Sequence, residues 1–129
     1  MKLRLRHNSI RLRLGKSEVE RLVERGECRE TVVFPGGRRL EYALASSPAA
    51  KMAVSLADAL IRVEVPEPDL AGWCSSDQVG LGAEVFVSHG TSLQVLIEKD
   101  FRCLDPRVPE DQSDSFDNPL EHLSCAPHA

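Results

Sequence analysis

Aromatic residues and long apolar runs are scarce in this sequence, and each scarcity narrows what the protein can be. The 129 residues include one Trp, one Tyr and four Phe. The core is therefore expected to be aliphatic, and repeated aromatic stacking on single-stranded nucleic acid is not expected. No apolar run is long enough to span a bilayer, and the alternating start is not typical of a signal peptide. We therefore expect no membrane partner.

Paired cysteines are also missing, because the four cysteines are scattered without a C-x-x-C motif. This pattern, without a secretory signal, indicates reduced thiols and a cytoplasmic location rather than a disulfide framework. The length predicts a single domain, which we place at residues 1–104, followed by an acidic, irregular tail at 105–129.

Charge is distributed unevenly along the chain. Residues 1–14 hold five Lys or Arg and no acid (net +5), whereas residues 105–129 hold six acids and one Arg (net −5). The two poles are expected to attract each other or different partners. Nucleic acid is a disfavoured partner, because the whole chain carries a net charge of −4 and shows no recognition helix.

Residues 1–47 follow a pattern of hairpin, short helix and hairpin. Apolar and cationic residues alternate on both sides of the turn at His7, which predicts two strands with one cationic face. Ser17 and Glu20 have the spacing of a capping box, and Gly26 is a natural helix end. A second hairpin is predicted around Pro35, with strands on either side.

The same pattern restarts after residue 50, first with an offset of 51 and then of 53. We interpret residues 1–47 and 50–101 as pseudo-repeats. The predicted fold is α+β: a duplicated ββαββ unit whose roughly eight antiparallel strands form a strongly curved sheet or a wide barrel. Two short helices are expected on the apolar face, which leaves the polar face to water or to a lumen.

The predicted polar face is rich in arginine and lysine, which suggests an anion site. Arginine forks match the oxygens of phosphate and carboxylate groups in pairs. The alternative is ion pairing across the fold with acids of the same face. The candidate ligand-binding residues are Lys2, Arg4, Arg6, Arg11, Arg13 and Arg62.

Two metal sites are conceivable from the residue types. Glu64, Glu98 and Asp100 offer oxygen ligands for Mg²⁺, although salt-bridging acids beside arginines show the same pattern. In the tail, His122, Cys125 and His128 are three Zn²⁺ ligand types without a fourth at motif spacing. No cofactor is otherwise indicated, and no catalytic motif is present, so the sequence leaves open whether any reaction is catalysed.

Two resemblances bear on function. The duplicated barrel resembles the CYTH-like triphosphatases, whose tunnel holds polyphosphate through Arg and Lys and a divalent metal through glutamates. That family opens with a Glu-x-Glu-x-Lys strand, whereas this chain opens with Lys2-x-Arg4-x-Arg6, so binding without turnover is the implied role. Residues 3–14, 76–80 and 98–104 are similar to a family of short bacterial proteins of unknown function, which implies no activity.

The sequence thus favours a small binding domain that takes a phosphate- or carboxylate-bearing small ligand on its arginine-rich face or tunnel. A protein-interaction module for an acidic partner is the first alternative, and a degenerate metal-dependent phosphohydrolase is the second. Oligomeric state and ligand identity do not follow from the sequence.

Overall fold

The computed structural model describes residues 1–100, which form eight β-strands and two α-helices. In chain order the elements are β1 (Lys2–Arg6), β2 (Ser9–Leu14), α1 (Lys16–Arg25), β3 (Glu27–Val33), β4 (Arg39–Ser47), β5 (Ala53–Ala57), β6 (Leu60–Pro66), α2 (Glu67–Ser75), β7 (Gly80–Ser88) and β8 (Thr91–Lys99). A single 3₁₀ turn, Pro35–Gly37, joins β3 to β4. None of the helices in this part of the chain is long and apolar enough to cross a membrane.

The order ββαββ occurs twice, and hydrogen bonds outside the ladders repeat with it. The N–H of Gln94 donates to the carbonyl of Asn8 at 3.0 Å, and the N–H of Glu41 donates to the carbonyl of Ala59 at 2.9 Å. Asn8 and Ala59 are 51 positions apart, and Glu41 and Gln94 are 53 apart, which are the two offsets seen in the sequence. The halves therefore correspond in backbone geometry as well as in element order.

The two halves exchange hairpins to build two mixed sheets. Sheet A has the order β1-β2-β8-β7, and sheet B has the order β5-β6-β4-β3. The four hairpins are antiparallel as predicted, but β2 runs parallel to β8 and β4 runs parallel to β6. The prediction of a wholly antiparallel sheet was wrong, because each sheet takes one hairpin that precedes a helix and one that follows the other helix.

The sheets do not close into a barrel, which corrects the second architectural alternative. Alternate residues of both sheets bury their side chains in one common core with the helices. That core contains Ile10, Leu12, Leu14, Val95 and Ile97 from sheet A; Cys28, Leu44, Val63 and Val65 from sheet B; and Leu22, Leu70 and Trp73 from the helices. The polar faces of the sheets are consequently outer surfaces, and no polar lumen forms within residues 1–100.

Helix α1 begins two residues earlier than the predicted capping box. Gly15 is the N-cap, and its N–H donates to a carboxylate oxygen of Glu18 at 2.8 Å. The helix ends as predicted at Gly26, whose φ of 72° lies in the left-handed region and whose N–H donates to the carbonyl of Leu22. The apolar side of α1 packs on β3 and α2, so docking rather than propensity holds this short helix.

Candidate anion-binding face

The outer side of β1 and β2 carries a row of cations, which we call the cationic face. Because Ile10, Leu12 and Leu14 point into the core, the intervening side chains of β2 point outward. The same alternation turns the cations of β1 to the outer side of sheet A. The cationic face consists of Lys2, Arg4, Arg6, Arg11 and Arg13.

Strand register places like charges directly opposite one another on this face. Arg4 pairs with Arg11 across the β1–β2 ladder, and Lys2 pairs with Arg13. Like charges at directly opposed positions destabilise a sheet. The cationic face therefore contains repulsion that a bound anion would relieve.

Two acids relieve part of that repulsion. A carboxylate oxygen of Glu98 on β8 lies 3.1 Å from Nε of Arg11 and 3.8 Å from an Nη of Arg13. That oxygen is buried, but no N–H points at it well enough for a hydrogen bond. Asp100 lies 3.0 Å from Nζ of Lys2. Such partly exposed pairs contribute roughly 0–1 kcal/mol each. Glu98 and Asp100 are two acids against five cations, so the face keeps a surplus of positive charge.

Arg4 and Arg6 have no acidic partner within the described part of the chain. Neither guanidinium forms an ion pair with any of the residues 1–100, and both side chains are exposed. The face thus presents five cations against two acids, with its least compensated charge on the edge strand β1.

Arg62 lies elsewhere, on the outer side of sheet B. It occupies the position of the second half that corresponds to Arg11, and its guanidinium donates to Glu27 at 2.6 Å. Glu27 also accepts from Arg29 at 3.2 Å, and Arg29 reaches Glu41 at 3.5 Å. Acids and arginines are interleaved here and pair with one another, as the ion-pairing alternative predicts. Arg39, which has the outward parity of Glu41, forms no ion pair within residues 1–100. Arg62 does not join the cationic face.

The ion pairs of Glu27 on sheet B make part of the stability of the fold depend on pH in the acid range. The hydrogen bond from Arg62 holds the pKa of the Glu27 carboxyl below its ordinary value, against an opposing effect of partial burial. The folded-state pKa is lowered, so the stabilisation is present above the unfolded pKa and is lost as pH falls through the folded value.

We therefore expect Glu27→Gln to flatten the loss of stability below the ordinary glutamate pKa of 4.5. Urea unfolding at pH 7 and at pH 3 measures this, and the variant should lose less stability between the two pH values than the parent chain does. Because the pair is partly exposed, the effect at pH 7 should stay below about 1 kcal/mol. If the variant lost as much stability between pH 7 and pH 3 as the parent chain does, this role of Glu27 would be contradicted.

The carboxylates suggested for Mg²⁺ are not brought together. Glu64 lies on the outer side of sheet B, 3.8 Å from Nε of Arg62. Glu98 and Asp100 lie on the outer side of sheet A, each beside a cation. The common core separates the two outer sides. The tail 105–129, with His122, Cys125 and His128, lies outside the described residues.

One further cluster has metal-ligand chemistry and was not found from the sequence. Ligand atoms of Glu18, Cys28 and Glu30 lie within 4.8 Å of one another. The α-ammonium of Met1 forms ion pairs with both carboxylates, and Tyr42 donates its hydroxyl to the Met1 carbonyl at 2.9 Å. Burial and the nearby Glu30 raise the pKa of Tyr42. The α-ammonium offsets one of the two carboxylate charges, and its ion pairs tie the residue before β1 to helix α1 and strand β3.

A shallow depression of about 490 Å³ adjoins Arg11 on the outer side of sheet A. Ser9 and Gln94 add neutral polar groups to it, and Glu84 on β7 adds an acid. Gly82 has no side chain to fill it. Alternation could identify outward-facing residues, but only the parallel pairing of β2 with β8 places Ser9 directly beside Gln94. That pairing is a long-range contact for which the local sequence pattern carries no signal.

The fold and this surface define a class: a small α+β domain of two mixed sheets, with one cationic outer side and one outer side of interleaved acids and arginines. The chain belongs to the Family of unknown function (DUF7009), whose family model matches residues 1–120. This finding confirms the expectation of a family of unknown function. No curated protein gives a significant match. No solved structure does either, and nothing supports the resemblance to CYTH-like triphosphatases.

Proposed function

We propose that this protein is a cytoplasmic binding domain whose cationic face takes a phosphate- or carboxylate-bearing ligand. Binding rather than turnover is proposed because the face offers cations, while its two acids are engaged by cations. Guanidinium groups pair with the oxygens of such ligands in a fixed fork geometry, and several on one surface give multivalent recognition.

The contrast between the two outer sides carries this proposal. Sheets A and B are built from corresponding strands, yet their charged residues differ. Arg62 has an acid at 2.6 Å, whereas Arg4 and Arg6 have none within residues 1–100. If surface charge served only to keep the sheets soluble, a surplus of cations on one side alone would not be required.

A panel of anions tests the proposal by thermal unfolding. Triphosphate, nucleotides and citrate, each with and without Mg²⁺, should raise the midpoint by several degrees without a metal requirement. A ligand at 100 times its Kd stabilises by about 2.7 kcal/mol. The effect should shrink as salt is added, because mobile ions screen exposed charges. No shift with any anion would overturn the proposal, and a strict Mg²⁺ requirement would favour the phosphohydrolase alternative.

A second candidate function, interaction with an acidic protein partner, is favoured by the openness of the surface. Small-ligand sites are usually concave, whereas the cationic face extends over the edge strand β1 and borders only a shallow depression. An extended polyanion would contact more of this row than a small anion could.

A further inference from the structure

We infer that strand β1 is a docking edge for an extended acidic segment of a partner protein, which adds to sheet A as a fifth strand. The inference rests on the proposed function and names its ligand class: a chain whose acidic and apolar residues alternate. Such β-addition draws affinity from main-chain hydrogen bonds and specificity from alternate side chains.

The first observation is the position of β1 at the edge of sheet A, where no strand of residues 1–100 pairs with its outer edge. Strand β1 is hydrogen bonded to β2 and is the terminal strand of sheet A. An edge strand presents a row of N–H and C=O groups that await partners. Its five residues, Lys2–Arg6, span roughly 17 Å at about 3.4 Å per residue, which matches a partner segment of five to six residues.

The second observation is the side-chain pattern along that edge. On the outer side β1 offers Lys2, Arg4 and Arg6, so a neighbouring strand would place every second residue beside a cation. On the inner side, Leu5 is 59% exposed although it points toward the core side of the sheet. A partner strand with acidic residues outside and apolar residues inside would pair with the cations and cover Leu5.

The other edges lack this combination. Strand β5 corresponds to β1 in the second half, but its outward residues are Ala53, Ser55 and Ala57. The outer side of β3 carries Glu27 and Arg29, which already pair with each other. The outer side of β7 begins with two glycines and carries one acid, Glu84. Of the four edges in residues 1–100, only β1 carries a row of cations; the single charge on the outer side of β7 is an acid.

The charge on β1 also decides which strand it accepts. Cationic residues on an edge repel a second copy of the same edge, which is a common protection against aggregation. The same row attracts a strand of opposite charge. A strand of opposite charge would reduce the repulsion within the opposed pairs Arg4–Arg11 and Lys2–Arg13, and a neutral strand would not.

The test measures binding of short labelled peptides to the full chain by fluorescence anisotropy. The first peptide alternates glutamate and valine over six residues; the second has the same composition in two blocks; the third is the alternating peptide with every peptide nitrogen methylated. The alternating peptide should bind at least about 10-fold more tightly than either control, because only it combines cross-strand charge pairing with a free backbone. Arg4→Ala with Arg6→Ala should weaken its binding at least about 10-fold, since one lost charge-assisted contact alone typically costs that much.

Arg38→Ala with Arg39→Ala changes net charge equally at a distant hairpin and should leave peptide binding unchanged. Equal affinity for all three peptides, alongside binding of triphosphate, would overturn strand addition and leave the proposed anion-binding function standing. Failure of the peptides and of triphosphate alike would overturn both.

Discussion

A chain carrying Arg4→Ala and Arg11→Ala is expected to bind triphosphate at least about 100-fold more weakly than the parent chain. The two guanidinium groups are directly opposed across β1 and β2, so one anion can contact both. Hydrogen bonds to charged groups contribute about 1.5–3 kcal/mol each, and 1.4 kcal/mol corresponds to tenfold in affinity. Isothermal titration calorimetry at low salt gives the ratio directly.

The matched control for this variant is Arg38→Ala with Arg39→Ala. Both side chains are exposed at the start of β4, and neither forms an ion pair within residues 1–100. The control removes the same net charge, so it corrects for the long-range field of the protein. Comparable losses in the two double variants would show that anions respond to overall charge, and the cationic face would then have no special role.

Trp73→Ala is expected to lower the free energy of unfolding by about 3–5 kcal/mol, the cost typical of removing a large aromatic from a core. This side chain, the single Trp of the chain, is fully buried among residues of both sheets. Its Nε1–H donates to the carbonyl of Val79 at 3.1 Å, and Nζ of Lys99 lies 5.3 Å from the ring centre. The loss therefore combines a cavity, a hydrogen bond and a cation–π contact.

Urea unfolding followed by circular dichroism measures this loss without relying on the removed fluorophore. Val23→Ala is the control, because Val23 is 69% exposed on α1 and should change stability by no more than about 0.5 kcal/mol. A Trp73→Ala chain within 1 kcal/mol of the parent would contradict the assignment of this residue to the common core.

Local signals in the sequence were sufficient for the elements but not for their assembly. Strict alternation of Leu3 and Leu5, and again of Ile61 and Val63, identified strands because side chains in a sheet have a period of two. The parallel pairing of β2 with β8 joins segments more than 80 residues apart and left no local trace. Whether a sheet closes likewise depends on pairing between its two edge strands. The alternation of side chains along a strand is the same in an open sheet and in a barrel.

Only part of the candidate site could be predicted from the sequence. Arg4 and Arg11 follow from one hairpin and its turn, so their common side could be read from neighbouring residues. Arg62 has the same alternation, which predicts the same face, but the exchange of hairpins places it on sheet B beside Glu27. Alternation reports which side of its own sheet a residue faces, and it carries no information about which sheet that is.

We propose that the outer side of sheet A binds anions and that the corresponding side of sheet B does not. Arginine Nε–H resonances, followed by ¹⁵N NMR during a triphosphate titration, test it within a single molecule. Signals of Arg4, Arg6, Arg11 and Arg13 should move together with one Kd, while those of Arg29 and Arg62 stay in place. Equal movement of both groups, or no movement of the first, would contradict the claim.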